Sequence, residues 1–145
     1  MIRGAVIILL LTAVAAVGTN YLHPRPPLWH QGLEPLRDDE VTVAQVEQRW
    51  HGEVLWIDAR IREQYEKGHI PGALLLNEQE LDALLTQHIE VLQDNKKPVV
   101  IYCDGKACHA SRKMREYLVE HMALPDVWVL TGGWPAWQAA HGSKP

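Results

Sequence analysis

Two cysteines in one short loop carry the clearest chemical signal in this chain. An apolar run, Val99 to Tyr102, ends abruptly at Cys103. A polar loop follows, Asp104-Gly105-Lys106-Ala107, and then Cys108, His109 and Ala110. Ser111 opens a segment with helical spacing. A cysteine at the carboxyl end of a buried strand faces the N–H groups of the loop and the positive end of the helix dipole. Both favour a thiolate over a thiol, and the thiolate is the nucleophile. The chain has 2 cysteines, so any thiol chemistry must run through this pair. Cys103 is the candidate nucleophile. Cys108 reads as a resolving thiol, an alternative nucleophile or a packing residue. His109 either stabilises a thiolate and donates a proton or is a solvated loop residue. Lys106, Arg112, Lys113 and Arg115 form a locally basic rim, read either as anion-attracting or as a solvated helix face. Cys103, Cys108 and His109 are soft metal ligands, but no fourth ligand stands at suitable spacing, so no metal and no cofactor is expected.

The elements that must position this loop follow from length and patterning. The chain has 145 residues, 47% hydrophobic and 22% charged, with net charge −4. That length suits one domain, and the acidic balance gives no footprint for nucleic acid. Two cysteines are too few for a disulfide-stapled mini-protein. At the N-terminus, Arg3 precedes an apolar run from Gly4 to Gly18, the pattern of a membrane anchor or a cleaved signal. Residues 1–22 are read as this anchor or signal segment. Residues 23–32, with His23-Pro24-Arg25-Pro26-Pro27, are an extended spacer in which closely placed prolines forbid helix. Residues 33–145 are the folded domain. Both readings of the N-terminus export that domain, which is expected in the periplasm or another extracytoplasmic space, tethered to the membrane or secreted after cleavage.

Within the domain, strands and helices alternate. Thr42 to Gln45 fits a capping box opening a short helix with Val43, Val46 and Trp50 on one face. Val54 to Ile57 is an apolar run ending at Asp58. A short polar helix or turn covers Ile61 to Lys67, and Leu74 to Leu76 is a second strand. Glu78 to Gln93 carries leucines and Ile89 at helical spacing. Val99 to Tyr102 is the strand before Cys103, and Ser111 to Met122 the helix after it. Val127 to Leu130 is a last strand, and Thr131-Gly132-Gly133 turns the chain into a terminal helix with Trp134 and Trp137. This order predicts an α/β fold with a mainly parallel central sheet and helices on both faces. Sites in such sheets form beyond the carboxyl ends of strands, where Cys103 lies.

Three separated segments resemble one family. Asp58-Ala59-Arg60, Tyr65 and Gly68-His69-Ile70-Pro71-Gly72-Ala73 are similar to the D-x-R … Y … GHIPGA signature of rhodanese-like domains. Cys103 closing a strand resembles the family's active-site cysteine. Gly132-Gly133 with Trp137 resembles the closing GG-x-x-x-W motif. The resemblance runs from about Val41 to His141. It implies a single rhodanese-like domain that passes sulfur through a persulfide on Cys103. It also implies structural roles for Asp58, Arg60, His69, Gly132, Gly133 and Trp137, with the Asp58 carboxylate and Arg60 guanidinium tying loop ends together. The loop departs from the family pattern: the position of its closing Arg falls on Ala110 or on Cys108, according to the end counted from, and Cys108 is additional. Asp104, Gly105, Lys106, Ala107 and Arg112 are the candidate substrate-binding residues. The expected partners are a small sulfur donor and a protein thiol acceptor, met by a monomer. Two alternatives stand beside this reading: dithiol–disulfide exchange with a membrane redox partner, and a rhodanese-fold binding module without catalysis.

Overall fold

The computed structural model describes residues 36–105 and 109–142, which fall in one compact unit beginning at Leu36. The N-terminal segment and spacer, and the loop residues Lys106, Ala107 and Cys108, lie outside the described residues. Among the described residues no helix is long and apolar enough to cross a membrane.

The strands are β1 (Glu40–Val41), β2 (Leu55–Asp58), β3 (Leu74–Leu75), β4 (Val99–Tyr102) and β5 (Val127–Leu130). The helices are α1 (Val43–Trp50), α2 (Arg62–Lys67), α3 (Leu81–Asp94), α4 (His109–Met122) and α5 (Gly133–His141). The strands form one parallel sheet in the order β1-β5-β4-β2-β3. Every residue of β4 is buried. That is why its sequence is a continuous apolar run rather than an alternation: a central parallel strand is covered on both faces.

Side chains alternate across the sheet into two cores. Val99, Ile101 and Val127 pack with Leu84 and Leu92 of α3 and Met114 and Leu118 of α4. Val100, Tyr102 and Leu130 pack on the other face with Val46 of α1, where Trp50, Trp134 and Trp137 close the edges. The helices therefore cover both faces of a wholly parallel sheet, as the alternation predicts. The chain has no Phe, and five of its six Trp supply much of the second core's bulk.

Thr42 caps α1 as its sequence predicts. Its hydroxyl accepts the Gln45 N–H, and the Gln45 side chain accepts the Thr42 N–H at 2.9 Å. Some boundaries differ from the sequence reading. α3 starts at Leu81 rather than Glu78, because the Asn77 side chain accepts the Glu80 N–H at 2.9 Å and holds the intervening residues in a turn. α4 starts at His109, two residues before Ser111. β1 has no counterpart in the pattern, since two residues cannot display a period.

Candidate active site

The site grows from three strand ends at the carboxyl edge of the sheet. β4 delivers Cys103, which is 3% exposed, directly after its last strand residue. On one side β2 delivers Asp58, Ala59 and Arg60: Asp58 pairs with Tyr102, and the Ala59 N–H donates to the Tyr102 carbonyl at 2.9 Å. On the other side β5 delivers Thr131, then Gly132 and Gly133.

The Gly132-Gly133 pair is dictated by a backbone crossing. The Trp134 N–H donates to the Cys103 carbonyl at 2.8 Å, which draws the start of α5 against the start of the cysteine loop. A Cβ on Gly133 would lie 2.4 Å from the Cys103 oxygen and 2.7 Å from the Gly105 nitrogen. A Cβ on Gly105 would lie 2.6 Å from the Gly132 oxygen. All three glycines have positive φ, so shape and backbone conformation make the same demand. Gly105, a candidate substrate-binding residue, is thus also a packing element that fixes the loop's exit from the sheet.

Asp58 and Arg60 form the second support. The Arg60 Nε donates to Asp58 Oδ1 at 2.9 Å and Nη2 to Oδ2 at 2.7 Å, a two-pronged pair, and Nη2 also donates to the Gly68 carbonyl at 2.7 Å. Asp58 is 0% and Arg60 7% exposed, so the pair is compensated within the protein and not by water. Burial alone would lower the Arg60 pKa, but the hydrogen bonds and charge of Asp58 outweigh it and hold the guanidinium above its ordinary value. Its guanidinium carbon lies 4.9 Å from the Trp134 ring and 5.5 Å from the Tyr102 ring, so the cation is wedged between aromatics. Asp58 and Arg60 thereby clamp the end of β2 to the turn at Gly68.

That turn is further fixed by His69, whose ring stacks on Tyr65 at 3.8 Å while Nδ1 meets the Tyr65 carbonyl at 2.9 Å. The Tyr65 hydroxyl donates to the Ala73 carbonyl at 2.7 Å. Tyr102 went unnoticed as a site-supporting residue. Its hydroxyl accepts the Ile70 N–H at 3.1 Å, and burial, with the charge of Asp58, raises its pKa so that it stays neutral. Its position two residues after Val100, on the same face, was the available signal. Trp137 stacks on Trp134 at 5.4 Å and on His141 at 4.4 Å, closing the second core rather than facing the cysteine loop.

The polar candidates divide. Asp104 and His109 are exposed at the two ends of the loop. Arg112, on the first turn of α4, forms an ion pair with Glu40 through Nη2, so its charge is partly committed to β1. Lys113 pairs with Glu78 at 3.0 Å, well exposed, and Arg115 pairs with Asp39 at 3.4 Å and donates to the Val127 carbonyl at 2.8 Å. The basic rim is therefore largely a set of ties between α4 and its neighbours. Among the described residues, no three His, Cys, Asp or Glu side chains converge to hold a metal.

A family model described as "Rhodanese-like domain" matches residues 42–140. The chain is 30% identical over 114 residues to the thiosulfate sulfurtransferase GlpE of Pseudoalteromonas translucida, covering 79% of this chain and 89% of that protein. It is 32% identical over 89 residues to the protein of the same name from Coxiella burnetii (strain RSA 331), covering 61% and 76% respectively. Solved structures share the fold. A Bacillus halodurans protein superposes with a TM-score of 0.57 at 23% identity, over 71% of this chain and 73% of the other. A human single-domain sulfurtransferase does so with 0.52 at 22% identity, over 71% and 97%.

Proposed function

The chain belongs to the rhodanese-like family of sulfurtransferases, and on that premise we propose that it carries sulfane sulfur as a persulfide on Cys103, outside the cytoplasm. The observation that supports this most directly is the placement of Cys103. It ends the central strand, in the crevice before α4, and its own carbonyl is anchored by the Trp134 N–H.

In this reading the Cys103 thiolate attacks the outer sulfur of a donor such as thiosulfate. A bond forms between Sγ and the transferred sulfur, the donor's sulfur–sulfur bond breaks, and sulfite departs with the bonding pair. Charge balances: one thiolate and one thiosulfate dianion give one persulfide anion and one sulfite dianion. The helix dipole of α4 and the loop N–H groups favour the anionic sulfur both before and after transfer. An acceptor thiolate then takes the outer sulfur. Cys108 gives a second exit: once the outer sulfur takes up a proton from solvent, the Cys108 thiolate attacks Sγ, expels hydrosulfide and leaves a Cys103–Cys108 disulfide, which a thiol or a membrane redox partner must reduce. Asp104 and His109, exposed at the two ends of the loop, stand where donor and acceptor would arrive. The export reading rests on Arg3 and the apolar run that follows it.

The test is intact-mass measurement of the reduced chain after thiosulfate treatment. Addition of one sulfur, lost in Cys103→Ser and kept at the first step in Cys108→Ser, is the expected result. An unmodified wild-type chain, or sulfur that survives Cys103→Ser, overturns the proposal. Loss of two hydrogens without any sulfur adduct would instead favour dithiol–disulfide exchange.

A further inference from the structure

Just past the end of the strand beside β4 lies a buried donor that no described residue engages. The β4–β5 register pairs Val99 with Val127 and Ile101 with Val129. Continuing it by two residues sets Cys103 beside Thr131, about 5 Å away between backbones. Continuing the strand alternation past Tyr102 and Leu130 assigns both residues to the α3/α4 face, since Val99, Ile101 and Val127 belong to that core while Tyr102 and Leu130 belong to the other. Thr131 is fixed in place, since its N–H donates to the Val41 carbonyl at 2.9 Å. Yet its hydroxyl is buried with no hydrogen-bond partner among the described residues. The neighbour of Cys103 on the opposite strand is Ala59, whose methyl offers no polar group.

A second orphan donor stands over the same face. Arg112, on the first turn of α4, reaches Glu40, whose register partner is Val129, two residues before Thr131. Its Nε is buried and also without a partner among the described residues. Buried polar groups are rarely left unpaired, and those that are call for a reason. Here both are donors: one follows β5, the neighbour of β4, and the other sits on the first turn of the helix that follows the cysteine loop.

We propose that the Thr131 hydroxyl is a donor to the outer sulfur of the Cys103 persulfide, with Arg112 Nε supporting the same negative charge. The inference rests on the reading that Cys103 carries sulfur. A persulfide extends the side chain by one sulfur–sulfur bond, about 2.05 Å, and moves the charge outward from Sγ. The hydroxyl thus gains an acceptor only in the loaded state. An interaction made only in the intermediate stabilises that intermediate without tightening the resting protein. In this loop, where the family's closing Arg is missing, Thr131 and Arg112 supply donors from β5 and α4 instead.

The experiment compares the full-length reduced chain with Thr131→Val and Thr131→Ser, using thiosulfate as the sulfur source. Two quantities are read: the thermal midpoint of the sulfur-free protein, and the lifetime of the sulfur adduct by intact mass after the donor is removed. Valine keeps the shape and deletes the orphan hydroxyl, so the sulfur-free midpoint stays equal or rises. Adduct lifetime falls about tenfold, the effect of one hydrogen bond to a charged sulfur. Serine restores it. An adduct that persists equally in Thr131→Val overturns the role of Thr131 and leaves the persulfide itself standing. A Thr131→Val chain that is less stable when sulfur-free also overturns it, because the hydroxyl then has a resting partner. A wild-type chain that takes up no sulfur overturns both the persulfide and this role.

Discussion

Gly133→Ala is the sharpest probe of how the site is held. The added Cβ would sit 2.4 Å from the Cys103 oxygen, 2.7 Å from the Gly105 nitrogen and 3.0 Å from the Cys103 carbonyl carbon. All three are backbone atoms, so no side chain can rotate away. Gly133 also has φ +54, which costs an alanine about 1 kcal/mol. Relief requires the α5 start to move off the cysteine loop, which breaks the 2.8 Å bond from Trp134 N–H to the Cys103 carbonyl. A buried pair left unmade adds about 1–3 kcal/mol, for a total of about 3 kcal/mol. Gly72→Ala is the matched control: φ is +80, but nothing lies within 4 Å of its added Cβ. It bears only the conformational cost of about 1 kcal/mol. Urea unfolding of both variants separates crowding from conformation, and sulfur loading tests the site. Gly133→Ala is expected to lose about 2 kcal/mol more than Gly72→Ala and most of its sulfur uptake. Equal losses, with unchanged uptake, would refute the backbone-crossing argument.

Arg60→Met leaves the Asp58 carboxylate, 0% exposed, without its cation and is expected to cost about 3–5 kcal/mol in urea unfolding. Adding Asp58→Asn to that variant should recover part of the loss, because the uncompensated charge is then gone. His88 is held below the ordinary histidine pKa by burial, so the unfolded chain binds the proton more readily. Its contribution to stability is present above pH of about 6.5 and is lost as pH falls through its lower folded value, so His88→Gln should flatten the stability profile below about pH 6.5.

How much of this was legible follows from which interactions are local. β4 and Cys103 were readable because a central parallel strand must be apolar throughout, and an abrupt polar break marks its end. The α1 cap was readable because Thr42 and Gln45 are three residues apart. The Asp58–Arg60 tie was legible through the resemblance to the rhodanese-like signature, and the structure pairs the two side chains across two residues. β1 could not be read, since its strand partner among the described residues, β5, lies far along the chain, and the Arg112–Glu40 pair spans 72 positions. The same holds for the reason behind the two glycines. Their motif was visible, but the demand comes from the Cys103–Gly105 backbone arriving from another strand.

Thr131 shows the consequence for function. In sequence it is one residue of a turn, indistinguishable from a helix-capping threonine. Its place beside Cys103 follows only from continuing the β4–β5 register, and its hydroxyl stands out only because it is buried without a partner among the described residues. The cysteine loop departs from its family by lacking a closing Arg within the loop, and the donors proposed in its place, Thr131 and Arg112, stand just after β5 and on α4. A loop motif alone therefore misjudges this site: what surrounds the sulfur is set by which strand lies beside it.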